Sequence, residues 1–550
     1  MLLEIISLFA LFISLYGWGL WARHFFLKEK ISVALTCILG IITLSTLATL
    51  CAFFYPLNVR SEIIFLLLSV IPFFFKIKKK NVSLYFPEYF KSGWFYFFLL
   101  LILFTGCYHP FLPDHYQYYT PTINWLNQEG IIIGLANIDW MLGQVSTWHI
   151  LQAAVDNTID PFQRINIFIS IIYLIYIFER KAFALMLFLP IAFLYNQTPS
   201  PDLPTILFSL IVVNEVCFNK KGYHLGLMLS ISSFLFVVKP TAFWLLMWLF
   251  FVAIFKKRKE ILSYKTYILP ALLIGLFFIK NSIVSSSLIY PITITQINTP
   301  WITDAQILID SDCYATLFPF YGHFTLEEVT DFSWFEKFYH WITIKPFNLF
   351  VVVVIIVFGL FLLKKKNLVY SILWIVVFLK FLLIFNFSGQ FRFLLDGTFA
   401  LLFILINQFN FRKVKILFCA FFISVLFIIP ISFPWIIQKI NSRSNIINIM
   451  SGFTKEVFFK PQTHVFGEYK KDKLGNLEFY ISTKYMYDYD TPPPAFLKSK
   501  LQYFHFLTIF PQMIDSSDVR KGFYIKKLSE EEAGQLQEII DRSYESNTIK

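Results

Sequence analysis

The chain has 550 residues, of which 57% are hydrophobic and only 15% are charged, and its formal net charge is +12. Soluble globular domains carry about 25% charged residues, so the composition excludes an ordinary soluble protein and favours an integral membrane protein. The positive charge does not predict nucleic-acid binding, because Lys and Arg occur in short runs between apolar stretches and form no basic helix or aromatic-basic platform.

Apolar runs recur along the chain. Runs of roughly 15–25 residues predict about 14 transmembrane helices. They lie near residues 3–21, 31–55, 61–75, 93–108, 162–178, 182–195, 203–218, 224–238, 240–255, 264–279, 346–363, 367–386, 393–410 and 414–433. The first run lacks a preceding basic segment and a small-residue cleavage site, so we expect a retained helix and not a signal peptide.

The basic segments between these runs predict an orientation. With the run 76–80 in the cytoplasm, alternation also places inside the segments 23–30, 179–181, 220–221, 256–259, 364–366 and 412–415. This arrangement satisfies the positive-inside rule. We therefore expect a bacterial inner-membrane protein with both termini on the extracytoplasmic side.

Three regions follow from this topology. Residues 1–92 are predicted to form N-terminal transmembrane helices, and residues 93–435 a transmembrane module with outer loops 108–161 and 281–345. The first loop has aromatic and polar residues at helical spacing, which predicts short helices in the membrane interface with Trp and Tyr at headgroup level. Residues 436–550 are more polar and predict an extracytoplasmic domain.

The C-terminal region contains two local signals of folded structure. Leu474-Gly475-Asn476-Leu477 predicts a hairpin turn. Ser529 followed by Glu532 predicts a capping box at the start of a helix. Together they favour a small α+β domain.

Two carboxylates at predicted outer boundaries are candidates for chemistry. Asp114 follows the fourth predicted span, where a carboxylate can act as a general base or bind a hard cation. Asp202 ends the proline-stiffened turn that begins at Thr198, and a carboxylate at the bilayer boundary is costly unless it has a role. For each residue, the alternative is a helix N-cap.

Four cations lie where the positive-inside rule disfavours them. Lys239, Lys280, Lys380 and Arg392 are at or near the outer ends of predicted spans. If they converge, they would suit the phosphate of a lipid-linked substrate. The alternative is that each one snorkels to the headgroups or pairs with a neighbouring carboxylate.

Other motifs are less specific. The glycines near Asn137 and Asp139 allow tight turns that aim polar side chains at one point, although on this motif alone an ordinary helix–turn–helix is the better explanation. Asp310-Ser311-Asp312 has a spacing that can hold a divalent ion but arises easily in an acidic loop. The chain has no P-loop, zinc-protease, nucleophile-elbow or Rossmann motif, which removes the usual marks of ATP-driven transport and zinc proteolysis.

The order of these features resembles the GT-C superfamily of integral-membrane glycosyltransferases, which use polyprenyl-phosphate-linked sugars. More narrowly, it is similar to a group of bacterial multi-pass proteins. The similarity rests on DHYQYYTPTINWLNQEGIIIGLANID from residue 114, SPD at 200–202, KNSIVSSSLIYP at 280–291 and FRF at 391–393. It covers roughly residues 94–410.

The resemblance implies roles for particular residues. Asp114 would be the catalytic base or metal partner, and Asp202 a second carboxylate in the same cavity. Lys239, Lys280 and Arg392 would bind the donor phosphate. The remaining residues expected to bind substrate are His115, Tyr116, Asn137, Asp139, Asn281, Tyr290 and Lys380.

Two features depart from the GT-C pattern. Three predicted spans precede the helix that leads into the first loop, and Asp114 is followed by His115 instead of a second acid. The second departure leaves the need for a divalent metal open.

The leading prediction is an all-α polytopic enzyme that transfers a sugar from a polyprenyl-phosphate donor to a glycan, lipid or protein acceptor outside the membrane. One alternative is a polymerase or ligase of lipid-linked polysaccharide, although Arg is scarce in the outer loops. Another is a flippase or transporter of a lipid-linked saccharide, which would need polar residues near the bilayer midplane. A structural membrane scaffold is the third alternative.

Overall fold

The computed structural model describes residues 1–26, 31–77, 88–220, 222–409, 411–432, 455–463, 467–483 and 487–543, and it is mostly helical. The α-helices up to the first outer loop are α1 Leu2–Phe26, α2 Val33–Ala52, α3 Val59–Ile77 and α4 Gly93–Gly106. Those that follow, up to the second outer loop, are α5 Thr120–Gln128, α6 Thr147–Ala153, α7 Ile165–Arg180, α8 Asp202–Phe218, α9 Leu225–Val238, α10 Phe243–Lys256, α11 Arg258–Ile261 and α12 Ile268–Ser285.

The second outer loop contains three short helices, α13 Ala305–Leu317, α14 Leu326–Asp331 and α15 Trp334–Ile344. Four apolar helices follow it, α16 Pro346–Lys364, α17 Leu368–Phe387, α18 Leu395–Ile406 and α19 Lys413–Ser432. Two more helices lie in the C-terminal region, α20 Lys498–Phe506 and α21 Glu530–Arg542.

Each apolar run predicted as a span forms a helix over most of its length, and the run near 182–195 is a 3-10 helix, Phe183–Leu194. Within the described residues, five helices are long and apolar enough to cross a membrane: Leu2–Phe25, Val33–Ala52, Ile268–Ser285, Pro346–Lys364 and Leu368–Phe387. The prediction of membrane-spanning helices is confirmed to that extent. The larger number of spans and their orientation stay predictions.

Glycines let the first two helices pack with their backbones in contact. A Cβ atom added at Gly40 would lie 1.7 Å from the carbonyl oxygen of Leu15, and one added at Gly19 would lie 1.9 Å from that of Thr36. Small residues at helix crossings permit such close approach within membranes. An alanine at either position would force α1 and α2 apart.

The first outer loop is helical, as predicted, but it is largely buried inside the protein. A π-helix, His115–Tyr119, runs into α5, and the 3-10 helices Leu135–Asn137 and Trp140–Gln144 precede α6. Trp125 and Trp148 are 3% and 0% exposed. The expectation that these two rings lie at headgroup level is therefore wrong, because they fill the space between the loop and its neighbouring elements.

The C-terminal region contains two small sheets, so the predicted mixture of helix and strand is confirmed for its described residues. The strands are β1 Tyr469–Leu474, β2 Leu477–Ser482, β3 Ala495–Phe496, β4 Ile509–Met513 and β5 Phe523–Lys527. β2 pairs antiparallel with β1 and parallel with β3, and β4 pairs antiparallel with β5. Every second residue of β2 is buried, as expected for a strand with one covered face.

Both local signals in this region are confirmed. Leu474 pairs with Leu477 at the end of the β1–β2 hairpin, and Gly475 adopts the positive φ of +60° that the tight turn requires. The Ser529 hydroxyl accepts from the Glu532 backbone amide, and the Glu532 carboxylate accepts from the Ser529 amide. The predicted capping box therefore begins α21.

The C-terminal region packs directly on the first outer loop. The backbone amide of Phe523 donates to the carbonyl of Ile133 at 3.0 Å. The Asn137 side-chain amide donates to the carbonyl of Phe523 at 3.2 Å, and Lys500 lies 3.5 Å from the Asp139 carboxylate. The loop therefore lies between the apolar helices on one side and the C-terminal region on the other.

Candidate active site

Asp114 and Arg392 form an ion pair between distant parts of the chain. Arg392 Nη1 lies 2.7 Å from Asp114 Oδ2, and the two side chains are 32% and 20% exposed. Asp114 stands immediately before the π-helix that begins at His115, and Arg392 belongs to the 3-10 helix Phe391–Phe393. Both side chains retain contact with the surface, so a substrate could reach them.

Hydrogen bonds orient both members of this pair. The Tyr119 hydroxyl donates to Asp114 Oδ2 at 3.3 Å, and Arg392 Nε donates to Gln390 Oε1 at 3.0 Å. Partial burial opposes the charge of Arg392, but the carboxylates of Asp114 and Asp202 outweigh that effect and raise its pKa. The guanidinium is therefore a permanent cation beside a partly exposed carboxylate.

Asp202 and Lys239 form a second ion pair, which is more buried than the first. Asp202 is the first residue of α8, and Lys239 follows the last residue of α9. The backbone amide of Asp202 donates to the Ser200 hydroxyl at 3.3 Å, and the Tyr119 hydroxyl lies 3.4 Å from the same oxygen. Ser200 and Tyr119 therefore connect the Asp114 carboxylate to the backbone of Asp202.

The ring of Phe393 contacts the cations of both ion pairs, Lys239 and Arg392. Lys239 Nζ lies 4.3 Å from the ring centroid and Arg392 Cζ lies 5.2 Å from it. Both distances are within the range of a cation–π interaction. Two charges of the same sign are thus held next to one another, each with its own carboxylate.

A third ion pair lies deeper in the protein. Lys380, within α17, contacts the carboxylate of Asp396, within α18, and their side chains are 1% and 4% exposed. Asp396 also accepts from Trp244 Nε1 at 2.7 Å and from the backbone amide of Gly397 at 2.8 Å. Lys380 is close enough to Lys239 and Asp202 to interact with them electrostatically.

The structure thus brings together five of the predicted site residues. We call Asp114, Asp202, Lys239, Lys380, Arg392 and Asp396 the charge cluster. Its exposure decreases from Asp114 and Arg392 at the surface to Lys380 and Asp396 in the interior.

Lys280 does not pair with a carboxylate in the charge cluster. Its ammonium donates to the carbonyls of Gln144 and Val145 at 2.9 and 2.7 Å. Val145 has a φ of +29°, which is unfavourable for a β-branched residue. Lys280 therefore holds a strained turn of the first loop, and its contacts give no support to a phosphate-binding role.

Four other predicted substrate-binding residues make structural contacts outside the cluster. Asn137 donates to the carbonyls of Trp301 and Phe523, and Asp139 caps the 3-10 helix that starts at Trp140. The remaining two brace the second loop, where Asn281 donates to the carbonyl of Leu288 and Tyr290 to that of Trp140.

His115 and Tyr116 point towards the C-terminal region. The His115 ring centroid lies 5.7 Å from that of Tyr489, and the Tyr116 ring stacks on Tyr487 at 5.6 Å. The Tyr116 hydroxyl donates to the carbonyl of Pro110 at 2.7 Å. The two residues are 4% and 1% exposed, so they pack the wall behind Asp114 and do not form a surface for a sugar.

Several residues of this site were not predicted from the sequence. Asp396 lies inside an apolar stretch, and a carboxylate in such a stretch is itself a signal of function. His149 is 1% exposed and its ring centroid lies 4.8 Å from that of Tyr119. Burial lowers the pKa of His149 to about 3, so its imidazole is neutral.

Arg164 is a further buried residue without a sequence signal. Its guanidinium donates to the carbonyls of Tyr108 and Gln462 at 3.4 and 2.7 Å, and also to that of Gln197. Tyr108 leads into the segment that carries Asp114, and Gln197 into the turn that carries Asp202. One fully buried cation therefore ties together both carboxylate-bearing segments and the C-terminal region.

A small surface cavity of about 30 Å³ adjoins the exposed end of the charge cluster. Its lining includes Phe318, Lys345, Asn348, Gln390, Phe391 and Arg392. Two cations and two amide side chains therefore face a space bounded by aromatic rings, which suits an anionic group carried on an apolar molecule.

The described part of the chain contains no group of three or more His, Cys, Asp and Glu side chains arranged to hold a metal ion. Asp310, of the D-x-D triplet, instead accepts from Gln306 at 2.9 Å and from the Tyr503 hydroxyl at 2.6 Å. The charge cluster thus balances its carboxylates with Lys and Arg side chains.

Comparisons with known proteins give one result. No curated protein and no solved structure matches the chain. The sequence profile of a family described as a domain of unknown function, DUF8201, matches residues 1–399. The match includes every residue of the charge cluster and leaves out α19 and the C-terminal region. The chain belongs to this DUF8201 family.

Proposed function

We propose that the protein is a membrane glycosyltransferase that moves a sugar from a polyprenyl-phosphate-linked donor to a glycan, lipid or protein acceptor at the outer face of a bacterial inner membrane. The observation that carries this proposal is the meeting of Asp114 and Asp202 with Lys239 and Arg392 at one partly open site. These four residues come from four separate segments of the chain.

The exposed end of the cluster fits the chemistry of such a transfer. Asp114 would accept the proton of an acceptor hydroxyl while that oxygen forms a bond to the anomeric carbon of the donor sugar. The bond between the anomeric carbon and the phosphate oxygen would break at the same time. The phosphate would leave with both electrons of that bond, and Arg392 would stabilise its negative charge.

In this proposal, the departing phosphate lies at the opening of the small cavity beside Arg392. Lys345 stands one residue before α16, one of the helices that are apolar and long enough to cross a membrane. A phosphate between Lys345 and Arg392 would leave a hydrocarbon chain free to follow the exposed side of that helix. The resting Asp114–Arg392 pair would separate as the acceptor and donor bind.

The test uses the purified full chain in proteoliposomes, supplied with a panel of polyprenyl-phosphate sugars and cell-envelope acceptors. Asp114→Asn removes the base but keeps the shape, so transfer should fall by about 10²–10⁴-fold, the usual contribution of a general base. Asp515→Asn removes an ion-paired carboxylate of the C-terminal region and should transfer at the parental rate. Equal rates for the two variants would refute the role of Asp114.

Transport of a lipid-linked saccharide is a second candidate, and one observation favours it. The Lys380–Asp396 pair is buried within helices α17 and α18, the kind of intramembrane charge that transporters use. Movement of labelled lipid-linked saccharide across the proteoliposome bilayer without a new glycosidic bond would support transport. Formation of a glycosylated acceptor would support the transferase.

A further inference from the structure

The second outer loop contains a helix with two chemically different faces. On the inner face of α15, Trp341 is 0% exposed, and its indole Nε1 donates to the carbonyl of Gly389 at 2.5 Å. On the outer face, Phe335 and Tyr339 are 78% and 60% exposed. These two residues are one helical turn apart, so their rings form a single aromatic surface.

This surface continues onto a helix that is suited to contact lipid. α15 ends at Ile344, and α16 begins two residues later at Pro346. Only 28% of the apolar window of α16 is buried within the protein, the lowest share among the five candidate spans. Its exposed side chains include Phe347, Leu349, Val353, Ile356 and Leu360.

We infer that the outer face of α15 lies in the lipid–water interface of the outer leaflet, where Phe335 and Tyr339 insert between headgroups beside the lipid-facing side of α16. Aromatic rings favour this depth because the ring is apolar and the Tyr hydroxyl remains hydrated. The partner is the lipid surface. The acidic helix α14, with exposed Glu327 and Glu328, faces water.

The charged residues of α15 determine how this helix would contact the bilayer. α15 carries one Glu and one Lys, so it offers no excess positive charge to anionic lipid. Contact should therefore depend on the aromatic rings and should occur equally in zwitterionic bilayers.

The inner face of α15 connects the proposed membrane contact to the candidate site. Trp341 holds the Gly389 carbonyl, and the Asn348 side-chain amide donates to the Trp341 carbonyl at 2.6 Å. Gly389 is three residues from Arg392, on the same turn. The interfacial helix therefore sets the depth of Arg392 relative to the lipid headgroups, whatever reaction the site performs.

Photo-crosslinking in phosphatidylcholine proteoliposomes tests the inference with the full chain. The photoreactive residue p-benzoylphenylalanine is placed singly at position 335 or 339, at position 327 as the water-facing control, and at position 360 as the lipid-facing control. Lipid adducts are counted by mass spectrometry of the peptides, and size-exclusion chromatography checks folding. Both test positions are exposed, so a bulky ring is tolerated there.

Adduct yields at positions 335 and 339 should approach that at 360 and exceed that at 327 several-fold. Addition of anionic phosphatidylglycerol should leave those yields unchanged. Yields at both positions no higher than at 327 would overturn the inference. Yields that appear only with anionic lipid would overturn it as well, since they would indicate electrostatic attachment and not aromatic insertion.

Discussion

The two ends of the charge cluster contain the same chemical partners in different surroundings. Asp114 and Arg392 are partly exposed, whereas Asp396 and Lys380 are almost completely buried. Water and ions screen the outer pair, so its net contribution to stability is small. The inner pair has lost its hydration, so each charge depends on the other. The comparison shows that one kind of ion pair is accessible from the surface at one end of the cluster and is part of the buried interior at the other.

Removal of one inner charge is the strongest way to test this contrast. Lys380→Met leaves Asp396 buried without its cation, and breaking a buried pair in this way typically costs about 3–5 kcal/mol. Thermal and denaturant unfolding in detergent would measure the loss. The double variant Lys380→Met with Asp396→Leu should recover most of it, since no unpaired charge remains.

A matched control for that experiment lies in the C-terminal region. Lys471 and Glu478 form an ion pair on the surface of the β1–β2 hairpin, with both side chains more than half exposed. Lys471→Met should leave the unfolding transition where it is. A Lys380→Met variant that is as stable as Lys471→Met would contradict the distinction between the two ends of the cluster.

Removal of the outer cation should affect turnover far more than stability. Arg392→Ala is expected to lower sugar transfer by about 10²–10³-fold, as loss of a single charge-stabilising donor does, with a stability loss of less than about 1 kcal/mol. Rates in proteoliposomes and unfolding in detergent would separate the two effects. A large loss of stability with unchanged transfer would reverse the roles assigned to the two pairs.

Asp160 extends the comparison to a buried carboxylate without an ion-pair partner among the described residues. It is 0% exposed and accepts from the Gln152 amide and from the Arg164 backbone amide. Burial raises the pKa of Asp160 to about 7. Between about pH 4 and pH 7 the folded protein keeps this proton and the unfolded chain releases it, so stability should fall as the pH rises through that window and then level off.

Asp160→Asn keeps the oxygen that accepts both hydrogen bonds but has no proton to release. The stability of this variant should therefore fall less between pH 4 and pH 7 than that of the parent. Parallel unfolding curves for the two proteins at several pH values would measure this difference. Identical pH profiles would mean that Asp160 is ionised in the folded state.

The smallest expected effect concerns the ring shared by the two outer cations. Phe393→Leu keeps an apolar side chain but removes the cation–π contacts with Lys239 and Arg392, which should cost about 1 kcal/mol. Phe391→Leu is the matched control, because Phe391 stacks on Phe347 at 5.2 Å. Equal losses for the two variants would show that the ring contributes only through packing.

Much of the helical framework and part of the site could be predicted from the sequence. Apolar length identifies helices because burial of an apolar stretch and satisfaction of its backbone both require it to be helical in lipid. Lys239, Lys380 and Arg392 each pair with a carboxylate, as the alternative interpretation of their outer positions expected, and their binding of a donor phosphate stays a prediction. Asp202 begins α8, one residue before the predicted start of that span at residue 203.

The remaining features depend on tertiary contacts that local pattern does not encode. Lys280 resembled the other outer cations, yet its contacts are carbonyls of a distant turn. Trp125 and Trp148 were expected at the lipid surface, since aromatic residues suit both a membrane interface and a protein core. Trp125 packs against Phe523 of the C-terminal region, and Trp148 packs against Phe234 of α9.

The contact at Gly134 shows how closely that region is attached. Gly134 has a φ of +63°, and an added Cβ would lie 2.1 Å from the Phe523 carbonyl oxygen. Truncation before β4 would remove β5 and with it Phe523. The Ile133 carbonyl and the Asn137 side-chain amide would then lose their hydrogen bonds to Phe523 and would be exposed to water. Expression of the helical portion by itself should consequently yield an aggregation-prone, protease-sensitive product. Biochemical work is therefore best begun with the C-terminal region retained.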